Sequence, residues 1–358
     1  MSLSLHRLFP TPAFLAAPIV GVDFSDTKIR FVRLAQGIKG LLPEQFGEAA
    51  IPEGCMQGGR VIDQARFTEF LTQLQKKHHI LFARIAVPES QVYSFTLALD
   101  AVAQEDIRSA IELVIEDNIP LRAIETVFDF EVLSKNEKNI VVQVAAIAES
   151  VSETFLATFS SAGITVIGFE LEGQAVARAV LAPQNKGSYM VVDFGAKRTG
   201  VTIITAGTAV YTSTIEFGGR NLIQLLVDEL KVSPEEAELL KREYGLSSNG
   251  EHKNVFTILS SGLGMVRDEI NRRYIYWHEK KNILGTFPAI DTVYLCGGHS
   301  NIRGLPDYLS MVLKLNVVHA NPWINCVSLD EEIPQMSYDA SMSYVTAIGL
   351  SLADFLYD

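Results

Sequence analysis

Two aspartates stand in the same short phrase at widely separated places in the chain, Val22-Asp23-Phe24 and Val192-Asp193-Phe194. Each follows an apolar run and precedes a turn of small and polar residues, after which β-branched residues resume. That grammar predicts a strand, a tight turn and a return strand over 19–34 and again over 189–204. One copy in each half of the chain points to an internal duplication. Two such hairpins facing each other across a cleft can close on a polyphosphate, because turn N–H groups form anion-binding nests and the aspartates accept hydrogen bonds from the waters of a magnesium ion. Gly195 suits a turn that a phosphate approaches closely, and Ser25 holds the matching place in the first hairpin. The bland alternative for Asp23 and Asp193 is a hairpin-tip cap bonded to its own backbone. Their paired occurrence favours the cation. A third apolar run ends in Cys296-Gly297-Gly298, where the missing side chains leave room for a sugar or base.

Elements of two lobes must carry these residues. The chain has 358 residues, whereas a single core rarely grows beyond about 250–300. With 48% hydrophobic and 20% charged residues it has ample core and no disorder signature. A net charge of -12 repels phosphate backbones and anionic lipid, so nucleic-acid and membrane-surface roles are disfavoured. Cys55, Cys296 and Cys326 are too far apart for a disulfide scaffold or a zinc site, and suit a reducing cytoplasm. The apolar stretch 13–22 is too short to span a membrane and reads as the lead-in to a strand. No glycine is followed by lysine, which excludes the P-loop, and neither G-x-S-x-G nor H-E-x-x-H occurs. His78-His79 reads as a solvated helix end.

Between the hairpins the pattern predicts strands near 84–87 and 92–97, a helix over 104–118, strands over 126–133 and 140–148, and a helix over 152–162 closed by Gly163. The first of these helices carries Ile107, Ala110, Ile111 and Val114 at the spacing of one buried face, and Pro120 marks its end. This is a compact α+β insert between two halves of a larger sheet. Beyond the second hairpin come a strand over 208–215, a helix from 222, a helix capped by Ser233 with Pro234 and Glu236, and a long helix over 255–281 with Leu259, Leu263, Val266, Ile270 and Trp277 on one face. A strand over 292–295, the glycine turn and a helix through 313 follow.

In this order the motifs resemble the actin-like ATPase superfamily and, within it, the PilM-type type IV pilus assembly proteins related to FtsA. Gly21-Val-Asp-Phe-Ser-Asp-Thr-Lys28 is similar to the first phosphate loop, Val192-Asp-Phe-Gly-Ala-Lys-Arg-Thr-Gly200 to the second, and the segment from Tyr294 to Leu305 to the adenosine motif. Phe217-Gly-Gly-Arg-Asn221 and Glu235 to Lys241 resemble the segment that contacts ribose and adenine. The resemblance implies nucleotide contacts from Ser25, Asp26, Thr27 and Lys28, from Gly195, Ala196, Lys197, Arg198 and Thr199, and from Gly218, Gly219, Asn221, Glu238, Lys241, Gly297, Gly298, His299 and Ile302. It implies metal contacts from Asp23 and Asp193, and gives Glu172 the place from which the superfamily orients attacking water. For Glu172 a surface helix-start glutamate, and for Glu238 and Lys241 a solvated face, are the structural alternatives. Ser25, Asp26, Lys28 and His299 depart from the family pattern. An aspartate at a phosphate-loop tip repels the ligand, with Lys28 and Arg198 available to offset it.

The run 110–121 with Glu125 and Asp129 resembles the PilM insert helix, the run from Phe169 to Ala177 the junction after it, and 344–356 the closing helix, with no basic amphipathic helix of the FtsA kind beyond. The expected architecture is α/β, two actin-like lobes with duplicated mixed sheets. First-lobe core spans 1–84, the partner-binding insert 85–165, a return to the first lobe 166–188, the second lobe 189–336 with a helical subdomain near 222–289, and the closing helix 337–358. The resemblance implies a cytoplasmic scaffold that binds ATP and Mg2+ with slow or no hydrolysis and holds the N-terminal peptide of a PilN-like inner-membrane protein among the pilus platform proteins. A homo-oligomer is left open. A turnover ATPase or sugar kinase, an FtsA-like cytoskeletal protein and a nucleotide-free scaffold are the alternatives; no sugar-binding insertion with converging Asp, Asn and Arg residues is found.

Overall fold

The computed structural model describes residues 17–100, 104–137, 139–246, 253–284 and 287–356. In the first lobe, β1 (Ile19–Phe24) pairs antiparallel with β2 (Lys28–Gln36), and β2 with β3 (Leu41–Ala50). A small ribbon of β4 (Met56–Gln57) and β5 (Arg60–Val61) and the helix α1 (Gln64–His78) lead into β6 (Phe82–Val87), which runs parallel to β1. The insert follows: β7 (Val92–Asp100), α2 (Ile107–Asn118), β8 (Thr126–Lys135) and β9 (Asn139–Ala148), in the sheet order β7-β9-β8. Then α3 (Glu149–Ser161) returns the chain to β10 (Thr165–Leu171), parallel to β6, and to α4 (Glu172–Val180).

The second lobe contains β11 (Ser188–Phe194), β12 (Thr199–Thr205), β13 (Thr208–Ile215), the helices α5 (Gly219–Leu230), α6 (Pro234–Glu243) and α7 (Lys253–Leu284), β14 (Ile290–Cys296), α8 (Leu305–Leu313) and β15 (Asn316–His319). The short α9 (Tyr338–Ser341) and the closing α10 (Val345–Leu356) end the described chain. The sheet orders β3-β2-β1-β6-β10 and β13-β12-β11-β14-β15 match strand for strand, in position and direction. The duplication visible in the two hairpins therefore extends to five strands in each lobe.

Burial explains why these segments take these forms. One core packs Phe31, Ile85, Phe67 and Phe155 inside the first lobe; a second packs Val192, Ile203, Leu226 and the long-helix face Leu259, Leu263, Val266, Ile270 and Trp277 inside the second. A third is shared: Val32 and Leu34 of β2, Val176 and Val180 of α4, Val191 and Ile204 of the second sheet, Trp323, and Ile348 and Leu352 of α10. The insert has its own small core around Ile107, Ile111, Ile140, Val142 and Val144.

Several elements differ from the sequence expectation. The strand expected at 84–87 within the insert belongs to the first-lobe sheet, where it lies between the parallel strands β1 and β10, and the insert's own sheet runs from Val92 to Ala148. Residues 104–106 form a 3-10 turn before α2, whose most buried residues are Ile107, Ile111 and Ile115, with Ala110 and Val114 half-buried beside them. α5 begins three residues before the expected 222, because Asn221 Oδ1 accepts from the Gly218 N–H at 2.9 Å and closes the turn as a cap. Ser233 Oγ accepts from the Glu236 N–H at 3.2 Å, the expected start of α6. His78 packs on Phe31 with ring centroids 4.6 Å apart, while the exposed His79 ends α1 in a left-handed conformation. Residues 13–16 of the expected lead-in lie outside the described residues, as do 101–103 and 247–252.

Candidate functional site

The hairpin tips end β1 and β11 at the carboxyl edge of parallel strand pairs, the usual place for a ligand on an open α/β sheet. Asp23 closes β1 opposite Arg30 of β2, and Asp193 closes β11 opposite Gly200 and beside Cys296. β10 ends at Leu171 and α4 starts at Glu172, so this glutamate sits at the same edge. Glu172 Oε1 lies 4.0 Å from Arg198 of the second hairpin and accepts from the Glu89 N–H at 3.4 Å. Thus first-lobe carboxylates face a guanidinium of the second lobe.

Their electrostatics follow from crowding. Burial, reinforced by the charge of Asp23, pushes the Glu172 carboxyl up to about 8. Burial and Asp23 likewise push Asp193 up to about 6, against the pull of Arg30 and Arg198. Asp23 is raised by burial, with the same two arginines opposing. Glu89 adds negative charge to Glu172 and Asp193; its Oε2 accepts from Thr214 Oγ1 of β13 at 2.7 Å, and its Oε1 has no hydrogen-bond partner among the described residues. A buried site with more carboxylates than cations is stabilised by a divalent ion. Among the described residues no three His, Cys, Asp or Glu side chains are gathered as a metal cage. Asp23 and Asp193 offer carboxylate oxygens from the two lobes, the donor type that magnesium takes when it keeps several waters and binds through one or two carboxylates plus phosphate oxygens.

The second hairpin and the start of α5 are fused through their backbones. The N–H groups of Gly219 and Arg220 donate to the carbonyls of Gly195 and Ala196 at 2.9 and 2.8 Å, and a β-carbon on Gly218 would come within 2.7 Å of the Ala196 carbonyl. Gly297, at φ 91°, bends the chain beneath Asp193, where a β-carbon would overlap the carboxylate; Gly298 faces the Ser343 side chain. The expected nucleotide crevice lies where β11, the start of α5, α6 and the glycine turn meet, and these glycines let their backbones approach closely. Lys241, only 3% exposed, reaches into it with Nζ 2.8 Å from Glu238 Oε2 and 3.0 Å from His299 Nδ1. Burial, assisted by Lys241, depresses His299 to about 4.

Several other residues expected at the site hold partners within the protein. Asp26 accepts from the Gly58 and Gly59 N–H groups, each at 2.9 Å, tying the first tip to the β4–β5 turn. Lys28 is paired with Glu48 of β3 at 2.7 Å. Ser25 Oγ accepts from its own turn, from Lys28 N–H at 3.2 Å, and the Thr27 carbonyl accepts from Ile51. Thr199 Oγ1 donates to the Phe217 carbonyl at 2.7 Å, Ile302 lies in the second-lobe core, and Lys197 is exposed. The sequence reading missed Arg30 and Glu89. The signal for Glu89 was its place just after a strand parallel to β1, which carries it to the edge that holds Asp23.

A second concavity, of about 760 Å³, lies between the insert and the first lobe. Val127 and Phe130 of β8, Ala145 of β9, Phe169 of β10, Gln174 of α4 and Ala209 of β13 contribute to its walls. β8 and β10 are edge strands of their sheets, so unpaired strand edges border the cavity. Its arginines are paired: Arg84 with Asp354, Arg108 with Asp129 and Arg178 with Glu170.

Paired five-stranded sheets whose hairpin tips meet across a cleft define an actin-like ATPase fold. MreB5 of Spiroplasma citri bound to AMPPNP aligns with a TM-score of 0.57 at 11% identity, over 96% of this chain and 97% of its own. The chain belongs to the family of type IV pilus assembly protein PilM, whose model matches residues 21–355. The solved PilM-PilN type IV pilus biogenesis complex aligns with a TM-score of 0.76 at 19% identity, covering 94% of this chain and 98% of that one. The ethanolamine utilization protein EutJ from Carboxydothermus hydrogenoformans aligns with a TM-score of 0.50 at 19% identity, over 93% and 88% of the two chains.

Proposed function

We propose that this PilM-family chain binds ATP with magnesium between its lobes and serves as a scaffold of the pilus inner-membrane platform, holding the N-terminal peptide of a PilN-like protein in the cavity between insert and first lobe. The meeting of the duplicated hairpin tips carries the nucleotide half of this reading: carboxylates from both lobes, raised by burial and crowding, would gain a counter-charge from the magnesium ion that a polyphosphate brings. Asp23 and Asp193 would accept from magnesium waters, the backbone of Gly195 and Ala196 would face phosphate, and Lys241 with Glu238 would meet the ribose. Without the ion, Glu172 holds its proton at neutral pH and is a poor base for activating water. Phe169, Glu170 and Leu171 of the edge strand β10 and the edge strand β8 line one cavity, which supports capture of an extended peptide by main-chain pairing. The solved PilM-PilN complex supports a partner of this kind. No helix among the described residues is long and apolar enough to cross a membrane, so in this reading the partner brings the chain to the membrane.

The test is thermal unfolding with and without Mg-ATP. Ligand at about 100 times its dissociation constant stabilises by roughly 2.7 kcal/mol, a shift of several degrees. Asp193→Ala should fold and lose that shift; a variant that keeps it would place the phosphates elsewhere. One observation favours the nucleotide-free scaffold as a second reading: the His299 ring lies against Gly219, inside the crevice itself.

A further inference from the structure

We infer that His299 is a displaceable plug of the nucleotide crevice, its imidazole filling the space between the Gly219 backbone and the Lys241 ammonium so that a ligand must move the ring to reach either. The inference rests on the nucleotide reading and deepens it. The His299 backbone is anchored, since its N–H donates to the Phe194 carbonyl at 3.0 Å beside the second hairpin. From there the side chain extends over the first turn of α5. A β-carbon on Gly219 would overlap the ring, so no gap remains between imidazole and backbone. On the other side Nδ1 stands 3.0 Å from Lys241 Nζ, which is also bound by Glu238.

The chemistry of that contact explains why the ring stays. A nearly buried ammonium needs acceptors, and Glu238 supplies only one. Nδ1 accepts from an ammonium only when it carries no proton. Lys241, Arg220 and Arg30 all oppose a proton on the ring and only Glu238 favours one, so the acceptor persists across the neutral range. The device is therefore steric and hydrogen-bonding, not a pH switch. Displacing the ring exchanges the His299 acceptor for a ligand oxygen on the same ammonium, and the gain from the new contact is reduced by the loss of the old one.

Calorimetric titration of Mg-ATP into the full chain and into His299→Ser tests this, with melting of the free variant as the check on folding. Removing the plug should tighten binding roughly two- to tenfold, the factor that one net hydrogen bond represents. His299→Asn, which keeps a carbonyl acceptor on a smaller side chain, should fall between the two and serves if the serine variant does not fold. In the unsubstituted chain the imidazole nitrogen-15 signals should report an unprotonated Nδ1 that shifts when Mg-ATP saturates. Equal or weaker binding by both variants, or ring signals unmoved at saturation, overturns the plug while leaving the nucleotide reading intact. No binding by any of the three chains overturns the nucleotide reading and the plug with it, whereas binding by the variants alone supports both.

Discussion

At the scale of single residues, the site is governed by the excess of carboxylate over guanidinium where the lobes meet. Glu172 binds a proton in the folded chain up to about pH 8, whereas an ordinary glutamate releases it near 4.5. Its contribution therefore favours folding fully below about pH 4.5 and is lost as pH rises through about 8, because the folded state then holds a crowded charge that the unfolded chain solvates. Glu172→Gln cannot ionise. At pH 9, without nucleotide, it should melt on the order of a few degrees above the unsubstituted chain, and below about pH 4.5 the two should coincide. Differential scanning calorimetry across that range checks the sign; a gap independent of pH would mean that Glu172 bears no crowding. The types of these residues were readable from the repeated Val-Asp-Phe phrase. Arg198 was readable beside them, but Arg30 and Glu89 were not, since they arrive from β2 and from the segment after β6.

At the scale of elements, the closing helix shows how small side chains set distance. α10 lies against both β1 and α4, and a β-carbon on Gly349 would overlap the Ala175 carbonyl, as one on Gly21 would overlap that of Ala347. Gly349→Ala should therefore cost about 1–3 kcal/mol, read as a lower urea midpoint with unchanged slope, because helix and backbone must separate to admit the methyl group. Helix termini were legible where a side chain caps its own chain, as at Ser233. They shifted where the capping position itself has no side chain, as at Gly218, whose N–H is held by Asn221. The insert helix kept its period, yet the face it buries extends to Ile115 because the sheet beneath it also covers the last turn.

At the scale of the molecule, the shared core of β2, α4, β11 and α10 joins the lobes, and the Thr214 to Glu89 bond spans them at the cleft. The insert stands to one side, and its cavity shares no wall residue with the carboxylate cluster. A large side chain at Ala145 should therefore act on one site alone. Ala145→Trp should abolish binding of a PilN-like N-terminal peptide, measured by fluorescence anisotropy, while Mg-ATP affinity stays within about twofold, as expected for sites with no common contact. Loss of both together would mean that the substitution disturbs the fold common to them.

The sequence by itself determined the duplicated hairpins, the order of the glycine turns, the long amphipathic helix and the caps, because periodicity and turn chemistry act over a few neighbouring residues. Those signals, with the resemblance they carried, sufficed for a two-lobed actin-like fold. Only the tertiary structure decided which side chains meet. It directed Asp26 to the Gly58 and Gly59 amides and Lys28 to Glu48, and it set His299 between Gly219 and Lys241. Such choices depend on strands and helices brought together from distant parts of the chain, where burial and the need to pair every buried charge select the partner.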